Sequence, residues 1–149
     1  MRMTSRQKEL IRVSFAQVEP NASTVASLFY GELFRLDPSI RNMFKLDIEE
    51  QGRKLMQALK FAVVSLDQPH ALIPALQAMG QRHVRYGVRN EHYATVGAAL
   101  LRTLDKGLGK GFTPEVRTAW ANVYSFIANT MKAAATELEL ETEAAMACR

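Results

Sequence analysis

Cysteine is almost absent. Cys148 is the only one in 149 residues, so an intrachain disulfide, a thiolate zinc site and a Cys-x-x-Cys-His attachment are all excluded. Histidine is scarce as well, with His70, His83 and His92 making up the full set. His70 falls in a turn region and His92 at a helix start, so a multi-histidine metal site is not expected. There is no Gly-rich phosphate loop and no HExxH. No apolar run approaches the length that spans a bilayer, and the opening residues Met1-Arg2-Met3-Thr4-Ser5-Arg6-Gln7-Lys8 lack the apolar core of a signal peptide. A soluble cytoplasmic protein is the expectation. The formal charge is +4, but the basic residues are scattered, without a dense run or interleaved aromatics. Nucleic acid is therefore not an expected partner.

Also missing is any segment with the period-2 alternation of a strand. What is present is helical periodicity from end to end, consistent with an all-α chain of about seven helical segments forming one domain, 1–149. Thr4 or Ser5 can cap a first helix carrying Leu10, Ile11, Phe15 and Val18, which Pro20 stops. Asn21 or Ser23 can cap a second with Val25, Leu28, Phe29, Leu33, Phe34 and Leu36. Asp37-Pro38 breaks the chain, and 38–44 reads as a short turn delivering Met43 and Phe44 inward. A long amphipathic helix is expected over 48–66, followed by the turn Asp67-Gln68-Pro69. Pro74 predicts an irregular start to the next helix. Asn90 and Glu91 suit the start of another, which Gly107-Leu108-Gly109-Lys110-Gly111 ends. Thr113-Pro114-Glu115 combines a cap, a first-turn proline and a carboxylate at a positive helix end. The last helix then runs through Trp120, Tyr124 and Met131. Its acidic tail, 137–149, is expected to fray or project.

Leu72, Ile73, Leu76 and Met79 lead to His83 in steps of three and four, which puts His83 on the apolar face of its helix. Gly87 then supplies a helix stop. Two readings of His83 stand at this point. It is a histidine at a helix end, favoured there by the macrodipole, or it is a metal ligand in an apolar pocket. One inward histidine, with a tyrosine and a glutamine at plausible inward positions, suits a pocket with a single metal–nitrogen bond.

The order and separation of several stretches carry a resemblance. They are Leu28-Phe29-Tyr30 with Leu33-Phe34, Met43-Phe44, Gln51-Gly52-Arg53-Lys54-Leu55-Met56, Arg82-His83-Val84-Arg85-Tyr86-Gly87-Val88, His92-Tyr93-Ala94-Thr95-Val96-Gly97, and Ala119-Trp120 with Tyr124. Together they resemble the bacterial single-domain globins and the haem domain of flavohaemoglobins, from Glu9 to about Met131. The resemblance implies a globin fold around haem b (iron protoporphyrin IX), with His83 as the proximal iron ligand. The other imidazole nitrogen would donate to a carbonyl or side chain that fixes the tautomer. It implies Tyr30 and Gln51 as distal donors to bound dioxygen, with Leu55 capping the pocket one turn beyond Gln51. Phe44 would stack on the porphyrin. Lys54, Arg82 and Arg85 are candidates for its propionates, although each also reads as a solvated charge. Val88, Tyr93, Val96 and Tyr124 would line the haem.

Two departures from the family pattern bear on activity. In flavohaemoglobins a glutamate on the last helix hydrogen-bonds near the proximal histidine together with the tyrosine matching Tyr93. Here Ala135 falls at that position, and Glu137 is roughly 200° further round the helix. The imidazole is thus expected to be neutral-leaning and weakly electron-donating. No flavin or nicotinamide domain follows either, so turnover would need an external flavin reductase. The resemblance implies reversible binding of dioxygen, NO and CO in a monomer or homodimer. Two alternatives remain: nitric oxide dioxygenase with a separate reductase, and a haem-free helical interaction module.

Overall fold

The structure is a computed structural model that describes residues 3–44 and 47–147. Six α-helices are found among the described residues: α1 (Ser5–Val18), α2 (Ala22–Leu36), α3 (Ile48–Val64), α4 (Pro69–Arg85), α5 (Asn90–Leu108) and α6 (Pro114–Ala147). Three short 3₁₀ turns accompany them, Glu19–Asn21, Pro38–Met43 and Gly109–Gly111. No described residue is in a strand, and no helix is long and apolar enough to cross a membrane among the described residues. Cys148 lies outside the described residues.

The helix starts follow the local chemistry with two exceptions. Thr4 caps α1 through a full capping box with Gln7, satisfying two orphan N–H groups reciprocally. Thr113 Oγ1 accepts the Val116 N–H at 3.2 Å, with Pro114 at the first position of α6. Asn21 occupies the cap position of α2 but makes no side-chain cap bond, because Pro20 is absorbed into the 3₁₀ turn that runs straight into the helix. Asn90 is the first residue of α5 rather than its cap. The imidazole Nδ1 of His92 accepts the Arg89 N–H at 2.9 Å, so histidine performs the backward half of that cap.

Other expectations are refined by tertiary packing. The helix expected over 48–66 ends at Val64, and Ser65 and Leu66 are buried in the following turn. Pro74 is accommodated inside an α4 that is helical from Pro69 onward. The acidic tail does not fray: α6 continues for 34 residues to Ala147, about 51 Å at 1.5 Å per residue. Its residues from Glu139 on are exposed, so it projects.

The helices pack as α4 on α6, α2 on α5 and α3, and α1 on α6. The larger core cluster joins α1, α2, α3, α5 and α6 through Ile11, Phe29, Tyr30, Leu33, Met56, Leu104 and Trp120. A second cluster joins Ala62, Leu72, Leu76, Tyr93, Ala128 and Met131 under α4. Tyr124 and Ile127 pack against both. Polar anchors are paired. The Trp120 indole donates to Ser14 Oγ at 2.8 Å, and Ser14 Oγ donates to the Leu10 carbonyl at 2.6 Å. Buried Glu32 on α2 is held by Lys106 of α5 and by Arg35.

Candidate functional site

α4 delivers His83 in its last turn, half-buried, on the same face as Leu72, Leu76 and Met79. Its Nδ1 lies 2.7 Å from the Met79 carbonyl oxygen. A carbonyl can only accept, so Nδ1 carries the hydrogen and the neutral ring's lone pair resides on Nε2. Burial pushes the imidazole below its ordinary pKa, partly offset by the Met79 hydrogen bond and reinforced by the neighbouring Arg82 charge. Nε2 has no hydrogen-bond partner among the described residues. The result is a neutral imidazole, oriented by the backbone, with one uncommitted nitrogen.

The turn that orients it is itself anchored. A Cβ built on Gly80 would lie 2.3 Å from the Met131 carbonyl oxygen on α6. Only a glycine lets the two backbones meet there, one residue after the carbonyl that holds His83. Past His83, Gly87 takes φ +84°, a left-handed conformation that ends the helix. The Tyr86 and Val88 N–H groups return to the His83 carbonyl at 3.1 and 3.0 Å.

On α2, Tyr30 is 5% exposed. Phe29, Phe34 and Phe44 surround its ring, with centroids at 5.1, 5.9 and 5.4 Å. Its hydroxyl has no hydrogen-bond partner among the described residues, where no fully enclosed side-chain polar atom lacks one. The hydroxyl therefore keeps some accessible surface. Burial pushes its pKa up to about 12, so it remains a donor throughout the physiological range. Phe44 is half-buried, edge-on to both Tyr30 and Phe34.

The crossing of α2 with α3 is tight. A Cβ on Gly52 would lie 2.9 Å from Ala26 Cβ. Tyr30 follows Ala26 by one turn and Gln51 immediately precedes Gly52, so that crossing sets the two on neighbouring helices. Gln51 is half-buried and makes no side-chain hydrogen bond among the described residues; Leu55, one turn on, is half-buried too. Lys54, Arg82 and Arg85 are exposed and have no carboxylate partner among the described residues.

Val88, Tyr93 and Tyr124 share the second apolar cluster, while Val96, Leu55 and Phe44 pack against the first. The Tyr124 hydroxyl donates to the Tyr93 backbone carbonyl at 2.6 Å. Tyr93 is 7% exposed and its hydroxyl has no partner among the described residues. Burial raises the pKa of both phenols. Ala135 is buried and offers no polar atom from its side chain.

Three contributors were not marked out by sequence reasoning: the Met79 carbonyl, Gly80, and Phe34 as the ring beside both Tyr30 and Phe44. The spacing of Met79 and His83, four apart on a helix, is the one signal that could have found the first. The close approach at Gly80 depends on α6 and leaves no local trace.

The globin family model matches residues 27–131. Neuroglobin-1 of Oncorhynchus mykiss is 30% identical, over 87% of this chain and 91% of its own length. A flavohemoprotein of Rhizobium meliloti is 28% identical over 95% of this chain but only 36% of its own length. Among solved structures, an engineered carbene transferase based on a nitric oxide dioxygenase-like protein of Rhodothermus marinus superimposes with a TM-score of 0.86 at 27% identity. That match covers 95% of this chain and 99% of the other. With a family match across most of the chain, relatives over nearly its whole length and an all-helical fold, the chain belongs to the globin family.

Proposed function

We propose that this globin binds haem b and uses it to bind dioxygen reversibly. One observation carries the reading. The Met79 carbonyl holds His83 in the tautomer that leaves Nε2 free, on an imidazole that burial keeps neutral. That is the donor a single metal–nitrogen bond needs. The Tyr30 hydroxyl beside Phe44 supports it, since a buried phenol without a partner among the described residues fits a site completed by a ligand.

Haem b would supply a ferrous iron with one open position able to take dioxygen, NO or CO. His83 would hold the iron, and Tyr30 and Gln51 would donate hydrogen bonds to the distal ligand. Leu55 would exclude water above it. Phe44, Val88, Tyr93, Val96 and Tyr124 would contribute apolar walls, and Lys54 and Arg82 would face the propionates. The test is the absorption spectrum of the ferric, ferrous and CO-bound protein, for wild type and His83→Ala. A Soret band that changes across these states in wild type, and loses its proximal signature in the variant, is expected. An unchanged signature would remove His83 from the iron.

A second reading, nitric oxide dioxygenase, is supported by the likeness to flavohemoproteins and to the Rhodothermus protein. That reaction would convert NO and dioxygen to nitrate at the haem, and each turnover would draw one electron from a flavin reductase. The chain spans only about a third of the length of the flavohemoproteins it matches, so the reductase this reading needs is part of the proposal. Mixing the dioxygen-loaded protein with NO, with and without a flavin reductase, separates the readings. Sustained nitrate formation favours the enzyme, and accumulation of ferric protein favours the binding protein.

A further inference from the structure

The projecting end of α6 runs beside the turn that carries His83. Val84 and Arg85 at the end of α4, and Leu138, Glu139, Thr142 and Glu143 of α6, line a groove of about 480 Å³. Leu138 and Thr142 are four apart, as are Glu139 and Glu143, so this strip of α6 presents one continuous face to α4. The charges across the groove are opposite, yet no ion pair joins Arg85 to either glutamate in this structure. Residues 133–147 contain four glutamates and no lysine or arginine, so Glu139 and Glu143 have no cation of their own along that stretch. Arg85 is exposed and likewise has no carboxylate partner among the described residues.

We propose that the acidic extension of α6 is an electrostatic clamp on the last turn of α4. Glu139 and Glu143 draw in Arg85 across the groove, with Val84 and Leu138 as its apolar floor. Glu139, Glu143 and Arg85 thereby act as positioning residues for His83. The α4 turn is already fixed on α6 where Gly80 meets the Met131 backbone, and Val88 beyond it packs against the second apolar cluster. The clamp adds an electrostatic point between them, on the other side of His83 from Gly80. With it the imidazole is presented in one orientation, whereas without it the turn frays more readily through the bonds returning to the His83 and Val84 carbonyls.

The consequence for ligand binding rests on the haem reading, but the clamp itself does not. Three amides report it directly: Tyr86 and Val88, which donate to the His83 carbonyl, and Gly87, which donates to the Val84 carbonyl. Their hydrogen exchange should be compared in wild type, in Glu139→Gln with Glu143→Gln, and in Glu137→Gln with Glu141→Gln, which removes equal charge outside the groove. At low salt the groove variant should exchange these amides about two- to five-fold faster, with α1 amides unchanged as the internal reference.

At about 1 M salt wild type and groove variant should converge, because screening then acts within roughly 3 Å. Arg85→Glu alone should exchange fastest, and combining it with Glu139→Arg and Glu143→Arg should restore protection. Equal exchange in wild type and the groove variant, or equal acceleration by the Glu137 and Glu141 pair, overturns the clamp. Recording the Soret band of the same samples keeps the two proposals apart. Absence of the band in wild type sinks the haem reading and leaves the exchange result standing.

Discussion

His83 and Tyr30 are the two side chains whose chemistry is set by what each lacks. His83 has one nitrogen occupied by the Met79 carbonyl and one without a partner among the described residues. Tyr30 has a buried ring in an aromatic cluster and a hydroxyl without a partner among the described residues. In water either would be solvated, and in an ordinary core either would be paired. A ligand at each would remove its deficit. If Tyr30 donates to bound dioxygen, Tyr30→Phe should release it faster, since a hydrogen bond of about 1–2 kcal/mol is a factor of roughly five to thirty. Stopped-flow displacement of dioxygen by CO reads this. An unaltered rate would take Tyr30 out of the site. At the same scale Ala135 is buried on α6 and its side chain brings no carboxylate. With the Met79 carbonyl as the acceptor for Nδ1 and no carboxylate partner among the described residues, the imidazole gains little anionic character, in keeping with the proposed reversible binding.

Among elements, α6 does the most. It supports α4 at Gly80, and its Trp120 anchors α1 through Ser14. Gly80→Ala would drive a methyl into the Met131 carbonyl, which is backbone and cannot rotate away. We expect a loss of about 1–3 kcal/mol, measured by urea unfolding, together with a shift of the turn that orients His83. Ser14→Ala would strand the indole N–H of Trp120, which is 1% exposed. That should cost about 1–3 kcal/mol, and Ser14→Thr, which keeps the hydroxyl, should recover part of it.

Helix identity was legible from periodicity, but helix ends were not. Ser65 and Leu66 look helical by pattern yet lie in a buried turn, because the chain must reverse into α4. Asn90 looks like a cap, but the His92 ring two residues on supplies the bond. Pro74 argues for an irregular start, yet α4 runs through it. Each boundary was settled by a partner that the local pattern does not contain.

For the whole molecule, the buried Glu32 triad ties α2 to α5. The Lys106 and Arg35 hydrogen bonds hold its carboxyl down to about 2, from an ordinary 4.5. Between those values the unfolded chain takes up a proton that the folded chain refuses. The stabilisation is therefore complete above about pH 4.5 and is lost as pH falls toward 2. Glu32→Gln should be less stable than wild type at neutral pH, with the difference shrinking steadily across that acid window. Thermal unfolding followed from pH 6 to pH 2 would show it, and parallel curves would exclude the triad as a source of acid sensitivity. The pairs of Asp67 with Lys8 and Arg12, and of Glu115 with Arg6, have exposed carboxylates and should matter little.

By itself the sequence determined the fold class, through helical periodicity and a missing strand pattern that survive without coordinates. The company of His83 with Tyr30, Phe44 and Gln51 came from the resemblance to the globins, not from composition or spacing, and their joint role is a proposal. Only the tertiary structure decided which nitrogen of His83 is free, why Gly80 is a glycine, and that the acidic tail continues as helix beside the proximal turn. Those three outcomes depend on atoms from separate turns or helices meeting within a few ångströms. A one-dimensional pattern records which face a residue occupies, but not what stands opposite it.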